Sequence, residues 1–400
     1  MLDAYIYDGL RTPFGRQAGG IAKVRPDDLL GAVIKEVVGR SGFKAEQIDD
    51  VTIGCTNQAG EDSRCIARHA SLLAGLPIEI PGSVTNRLCG SGLNALIHAS
   101  HAITCKEANI AIIGGVESMS RAPFVMAKAE QPYSNDMRIF NSQIGARFPN
   151  PKIEKQFGAD TMPQTADNMA RDFQLTREEC DAFALGSQQK YERAKSSGFF
   201  KGEILAVTIA GAKGKPDTVV AEDEHPRPGT TLDDLKKLKA LFEGGVTTAG
   251  NASGINDGAA ALIVASKAAG DKAGRKPMVR IVATAVAGVA PRIMGYGPVP
   301  AAQKALERAG LTLKDMDIIE INEAFAAQVL GCLKGLGLDG NDSRVNPNGG
   351  AIAVGHPLGA SGARIALSTA RELQRSGKRY ALASMCIGVG QGIAVVMERV

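Results

Sequence analysis

Four hundred residues exceed what one ordinary hydrophobic core organises, so two or three folding units are expected. Hydrophobic residues make up 44% and charged residues 22%, the balance of a globular chain with a sizeable core. A formal charge of +4 is small for this length, and no basic stripe interleaved with aromatics runs along it, so there is no case for nucleic-acid binding.

Seven cysteines without a Cys-x-x-Cys pair do not make a disulfide framework, so a reducing compartment, the cytoplasm, is expected. The first residues lack the charged and apolar regions of a signal peptide, and no apolar run approaches a membrane span. Glycine stands at 47 residues, well above the usual share near 7%, which predicts many tight turns and close backbone approaches.

In chain order, residues 4–7 read as a strand entering the turn Arg11-Thr12-Pro13-Phe14-Gly15. Leu29, Leu30, Val33, Ile34, Val37 and Val38 share one helical face, behind the start signal Pro26-Asp27 and ahead of Gly42. Residues 50–54 are a short buried strand, and a second helix spans about 64–75. Next, Val84-Thr85-Asn86-Arg87-Leu88-Cys89-Gly90-Ser91-Gly92 ends an extended lead in a cysteine, after which Leu93, Leu96 and Ile97 begin an apolar stripe. Cys89 is therefore expected at a helix N-terminus, where unpaired N–H groups and the positive dipole end favour thiolate. A strand over 110–113 follows, closed by Gly114-Gly115. Strands alternating with helices imply parallel βαβ units.

The same order returns late in the chain. Pro300 opens a helix ended by Gly310, residues 317–321 form a buried strand, and Gly355-His356-Pro357 is a turn before a helix containing Ser361-Gly362. A strand over 380–385 ends at Cys386, followed by Ile387-Gly388-Val389-Gly390. Cys89 to His356 is 356 − 89 = 267 positions and Gly115 to Gly388 is 388 − 115 = 273, which suggests an internal duplication. Ser91-Gly92 and Ser361-Gly362 sit at similar places after their turns. Between the halves, residues 119–245 change pattern: an irregular stretch rich in Met, Pro, Asn and Gln, then helices near 165–172 and 178–197. An insertion of this length is a lid or binding loop, because its helices argue against disorder. The units expected are 1–118 with 246–270, the insertion 119–245, and 271–400.

Taken singly, His356 is more often a structural histidine and Cys386 a core residue, since it ends an apolar strand. Lys236, Lys237 and Lys239 read as a solvated helix face. Cys65 with His69, and His98 with His101, are each half of a metal site that nothing completes, so no metal is expected.

Together, five blocks resemble the thiolases over essentially the whole chain and in the right order. They are Asn86-Arg87-Leu88-Cys89-Gly90-Ser91-Gly92, Gly114-Gly115-Val116-Glu117-Ser118-Met119-Ser120, Asn322-Glu323-Ala324-Phe325, Gly355-His356-Pro357-Leu358-Gly359 and Cys386-Ile387-Gly388. The segments Asn57-Gln58-Ala59-Gly60-Glu61-Asp62, Arg121-Ala122-Pro123-Phe124-Val125-Met126 and Met162-Pro163 resemble the branch acting on 3-oxoadipyl-CoA in aromatic catabolism. Many acetoacetyl-CoA thiolases carry His-Met-Gly where this chain has Thr161-Met162-Pro163.

The resemblance implies an α/β fold of layered αβαβα type: two duplicated βαβ halves with mixed five-stranded sheets, plus the inserted loop domain. It implies thiolytic cleavage of a 3-oxoacyl-CoA through an acyl-thioester on Cys89, with His356 as base and Cys386 as acid. One oxyanion would lie between the backbone N–H groups of Cys89 and Gly388, the other near His356 and a water held by Asn322. Arg227 is expected near the adenine of coenzyme A and Ser253 near the pantetheine arm, with Met162, Ala324 and Phe325 also on the substrate. Coenzyme A would be a co-substrate, with no permanently bound cofactor, and the protein a homodimer or homotetramer. Alternatives are an acetoacetyl-CoA thiolase, a decarboxylating condensing enzyme of the same fold, which would use cysteine with two histidines, and a non-catalytic acyl-CoA carrier, against which the intact Cys89, His356 and Cys386 speak.

Overall fold

The computed structural model describes residues 2–400. Its first half carries β1 (Tyr5–Arg11), α1 (Pro26–Ser41), β2 (Asp50–Gly54), α2 (Ile66–Leu73), β3 (Gly82–Thr85), α3 (Ser91–Thr104) and β4 (Ile110–Ser118). The inserted stretch holds a short hairpin, Phe124–Met126 with Ile139–Asn141, and two longer helices, α4 (Met162–Asp172) and α5 (Arg177–Ser196). Then follow β5 (Asn256–Ala265), β6 (Val279–Gly288), α6 (Pro298–Ala309), β7 (Ile318–Ile321), α7 (Ala326–Leu336), α8 (Leu358–Ser376), β8 (Tyr380–Ile387) and β9 (Gln391–Arg399).

The strands lie in the order β7-β8-β9-β6-β1-β5-β4-β2-β3. The duplication is visible in this order. Outward from the centre, β1-β5-β4-β2 matches β6-β9-β8-β7, antiparallel inside and parallel at the far end. The first half completes five strands with β3, while the second reduces its fifth to a single bridge, Ile319 to Val345. Among the described residues the two sheets join only where Tyr5 and Ile6 pair with Arg280 and Val279.

Side-chain alternation makes the layers. Ala111 and Ile113 of β4 face one apolar cluster together with α3 and α8, while Ile110 and Ile112 face another with α1 and α2. Ala260, Leu262 and Val264 of β5 join the first, and Ala259, Ala261 and Ile263 the second. Strands covered on both faces are apolar throughout, which explains their unbroken runs. Helices α6 and α7 cover the second sheet. The result is five layers, with α3 and α8 as the middle one.

The middle layer is held by glycine. A Cβ on Gly92 would sit 2.7 Å from the backbone nitrogen of Ala363, and one on Gly362 would sit 2.2 Å from that of Leu93. Main chain therefore touches main chain, and the two helix starts are locked side by side. The echo between Ser91-Gly92 and Ser361-Gly362 marks this crossing.

Gly114 and Gly115 do not close a strand as expected: β4 runs through them to Ser118. A Cβ on Gly115 would lie 2.0 Å from the carbonyl oxygen of Gly359, so the glycine admits the backbone of the first turn of α8 rather than making a turn of its own. The inserted helices open with reciprocal caps, Thr161 with Gln164 and Thr176 with Glu179. They pack on α7 through Ala170, Leu175, Cys180 and Ala184. Lys236 and Lys237 are exposed and pair with Asp233 and Asp234, as a solvated face should. Among the described residues no helix is long and apolar enough to cross a membrane.

Candidate active site

Cys89 lies between β3 and α3, in a turn fixed from several sides. Leu88 adopts φ 46°, Ser91 Oγ donates to the Leu88 carbonyl at 2.6 Å, and Arg87 N donates to Ser91 Oγ at 2.9 Å. Thr56 Oγ1 also donates to the Leu88 carbonyl, at 3.1 Å. A Cβ on Gly90 would strike Ile387 Cδ1 at 2.6 Å, so the turn sits directly on the end of β8. There the backbone N–H of Gly388 donates to the Cys89 sulfur. Leu88 Cδ1 and Met162 Sδ lie 3.4 and 3.6 Å from where a Gly388 Cβ would be.

Helix α3 begins two residues after Cys89, and the expected preference for thiolate is not met. Burial raises the Cys89 thiol to about 11, against the Gly388 hydrogen bond, and the nearby Glu117 adds to the rise. A half-turn of helix dipole does not offset removal of the sulfur from water.

His356 occupies the equivalent turn before α8. Its backbone N–H donates to Asn256 Oδ1 at 2.9 Å, and Nδ1 lies 2.6 Å from Ser361 Oγ. The Ser361 hydroxyl donates to the Pro357 carbonyl, which leaves its oxygen to accept from Nδ1–H. Nε2 then carries the lone pair, 3.3 Å from the Asn322 amide nitrogen. Burial, helped by Arg364, lowers the imidazole to about 3, so it is neutral at pH 7. Asn322 Oδ1 is buried without a hydrogen-bond partner among the described residues and remains an acceptor for what enters.

Cys386 is buried in β8 in one cluster with Ala324, Phe325, Ala252 and Met162. Burial first, then neighbouring Cys89 and Cys332, hold its thiol well above the ordinary range. Ser253 adjoins this cluster, its N–H on the Ala324 carbonyl at 2.9 Å. Arg227 is exposed and anchored by its backbone to Gln188 Oε1 at 3.0 Å, its side chain at the surface. Of the expected residues, Cys89, Gly388, Cys386, Met162, Ala324, Phe325 and Ser253 thus cluster, and Asn322 links them to His356.

Two carboxylates went unassigned in the sequence. Glu117 accepts N–H bonds from Thr56 (3.1 Å), Asn57 (3.0 Å) and Gly359 (2.8 Å), tying the loop under the Cys89 turn to the backbone after His356. Burial raises it to about 7. Glu323 accepts from Ser187 Oγ (2.6 Å), Asn346 Nδ2 (2.7 Å) and Ile352 N (3.2 Å), bracing the segment that leads to His356. Their signal was a charged residue inside or beside a wholly apolar strand. Cys55, Asp62 and Glu117 bring possible ligand atoms within 4.8 Å of one another, but Glu117 is committed to its three N–H donors. Cys65 Sγ lies on the Gly82 carbonyl and His98 Nε2 on Asn94, so neither proposed half-site is free.

The thiolase N-terminal domain model matches residues 4–268 and the C-terminal one residues 275–399. Over 402 aligned residues, covering all of both proteins, the chain is 56% identical to a 3-oxoadipyl-CoA/3-oxo-5,6-dehydrosuberyl-CoA thiolase of Escherichia coli (strain K12). It is 54% identical over 402 residues, again all of both, to a beta-ketoadipyl-CoA thiolase of Acinetobacter baylyi. The crystal structure of human mitochondrial 3-ketoacyl-CoA thiolase superposes with TM-score 0.92 at 40% identity, covering 100% of this chain and 99% of that one.

Proposed function

The chain belongs to the thiolase family, and we propose that it cleaves 3-oxoadipyl-CoA with coenzyme A to succinyl-CoA and acetyl-CoA. What supports this reading is the locked pair of helix starts, with the Cys89 and His356 turns just ahead of them and Ile387 at the end of β8 packed on the Cys89 turn. Cys89 sulfur attacks the 3-oxo carbon while His356 Nε2 takes the thiol proton. The neutral thiol and neutral imidazole mean that this transfer occurs with substrate bound, once the oxyanion donors are engaged. The backbone N–H groups of Cys89 and Gly388 hold the oxygen on the attacked carbon; removing one such donor costs roughly a hundred- to a thousand-fold in rate.

The C2–C3 bond breaks, its electron pair leaves as the acetyl-CoA enolate, and Cys386 protonates that carbon. A coenzyme A thiol then attacks the succinyl thioester and Cys89 is released. The enolate oxygen is met by His356 and by a water on Asn322 Oδ1. Arg227 serves the adenine and Ser253 the pantetheine arm, with coenzyme A as co-substrate. The enzyme works in the cytoplasm as a homodimer or homotetramer, which light scattering would decide.

The test is steady-state cleavage of 3-oxoadipyl-CoA and acetoacetyl-CoA with products identified by mass. A wide preference for acetoacetyl-CoA would reject the substrate, and equal acyl-enzyme labelling of wild type and Cys89→Ser would reject the nucleophile.

A further inference from the structure

Two segments distinctive in the sequence, residues 57–62 and 121–126, fold against each other. The Arg121 guanidinium forks onto Glu61 through Nε and Nη2, and Arg25 joins the same carboxylate at 3.1 Å. Gly60 packs on Pro123, with 3.1 Å between its Cβ position and the ring. Asn57 Nδ2 reaches Ser142 Oγ at 3.4 Å, and that hydroxyl donates to the Pro123 carbonyl at 2.6 Å.

At this junction stands Arg147, half-buried, with Nη2 donating to both the backbone carbonyl and Oδ1 of Asn57 at 2.9 Å. Asn57 is one residue from Thr56, which holds the Leu88 carbonyl beside Cys89, and its own N–H is on Glu117. Arg147 thus reaches the loop under the nucleophile.

Its charge is unanswered. Among the described residues Arg147 has no carboxylate partner, whereas Arg25, Arg121, Arg138 and Arg292 each have one. Arg87 also lacks a carboxylate, but Nε is on Asn94 Oδ1 at 2.8 Å and Nη1 on Gln391 Oε1 at 3.2 Å, toward α3 and β9. Only Nη2 of Arg147 is engaged, and only by neutral oxygens, so the fork remains for an anion.

We propose that Arg147, steered by Asn57, receives the far carboxylate of the acyl group, making this the subsite that selects dicarboxylic 3-oxoacyl thioesters. The inference rests on the substrate reading above and deepens it. In a succinyl group on Cys89 the carboxylate carbon lies roughly 5 Å from the sulfur, from bonds of about 1.5 Å. A carboxylate taken out of water beside the nucleophile needs a cation to make its burial tolerable.

The experiment compares kcat/KM for 3-oxoadipyl-CoA and 3-oxohexanoyl-CoA, which has the same chain length with a methyl end, in wild type, Arg147→Met and Arg147→Lys. A charged hydrogen bond is worth roughly 10- to 150-fold. Arg147→Met should lose about that factor on 3-oxoadipyl-CoA, change 3-oxohexanoyl-CoA by less than about threefold, and be partly rescued in Arg147→Lys. Wild-type preference for the diacid that survives in Arg147→Met, or equal losses on both esters, would overturn the assignment and leave the substrate reading standing. A wild type without preference for the diacid would remove both.

Discussion

Replacing Glu117 by glutamine probes how the two catalytic turns are held in register. The carboxylate accepts from Thr56 and Gly359 on one oxygen and from Asn57 on the other. A glutamine oxygen can keep the first pair, but its NH2 then faces the Asn57 N–H, donor against donor. One hydrogen bond to a charged group is lost, about 1.5–3 kcal/mol, whereas Glu117→Ala strands all three donors and should cost roughly 5 kcal/mol.

Loosening of the Cys89 and His356 turns by about an ångström should lower kcat on the order of a hundred-fold. The charge effect runs the other way. Ionised Glu117 raises the Cys89 thiol, so its neutral replacement should move the pH midpoint of Cys89 alkylation by iodoacetamide downward. Comparison above pH 8 is cleanest, because Glu117 itself titrates near 7. Denaturant unfolding, kcat and the alkylation profile together decide the matter. Wild-type stability and kcat in Glu117→Gln, or a midpoint that rises, would refute the reasoning.

Cys386→Ala should still acylate Cys89 yet lose exchange of the acetyl-CoA C2 protons in deuterated buffer; undiminished exchange would move the acid elsewhere. Gly362→Ala should be destabilised by at least about 3 kcal/mol, because its Cβ meets the Leu93 nitrogen at 2.2 Å, and denaturant unfolding reads this directly. His356, held at about 3 when folded against 6.5 unfolded, contributes stability that is present above pH 6.5 and drains away as pH falls toward 3, on the order of 5 kcal/mol at the limit. The wild type should therefore lose stability on acidification more steeply than His356→Gln; parallel curves from pH 7 to pH 4 would contradict this.

What the sequence displayed well were features with a local cause. The Pro26 start and the Gly42 stop of α1, the strand at 50–54 and the turn at Cys89 all follow from propensity, pattern and backbone freedom. What it concealed depends on distant packing. Gly114 and Gly115 look like punctuation, because nothing nearby reveals that the Ala260 carbonyl will crowd the first and Gly359 the second. Cys89 looks like an acidic thiol, because helix polarity is local whereas burial is not. Ser361 looks like a packing echo of Ser91, yet it fixes which imidazole nitrogen faces the site. Arg147 lies in a stretch with no period, so only the meeting of two remote loops gives it significance.

The glycine contact between α3 and α8 has a consequence for heat. Neither helix can slide or roll without collision of peptide planes, and Glu117 clamps both turns, so in the wild type the spacing between sulfur and imidazole has no soft coordinate along which to drift. On warming, catalysis should hold until the middle layer itself melts, and then fail abruptly, with no inactive but folded stage before it.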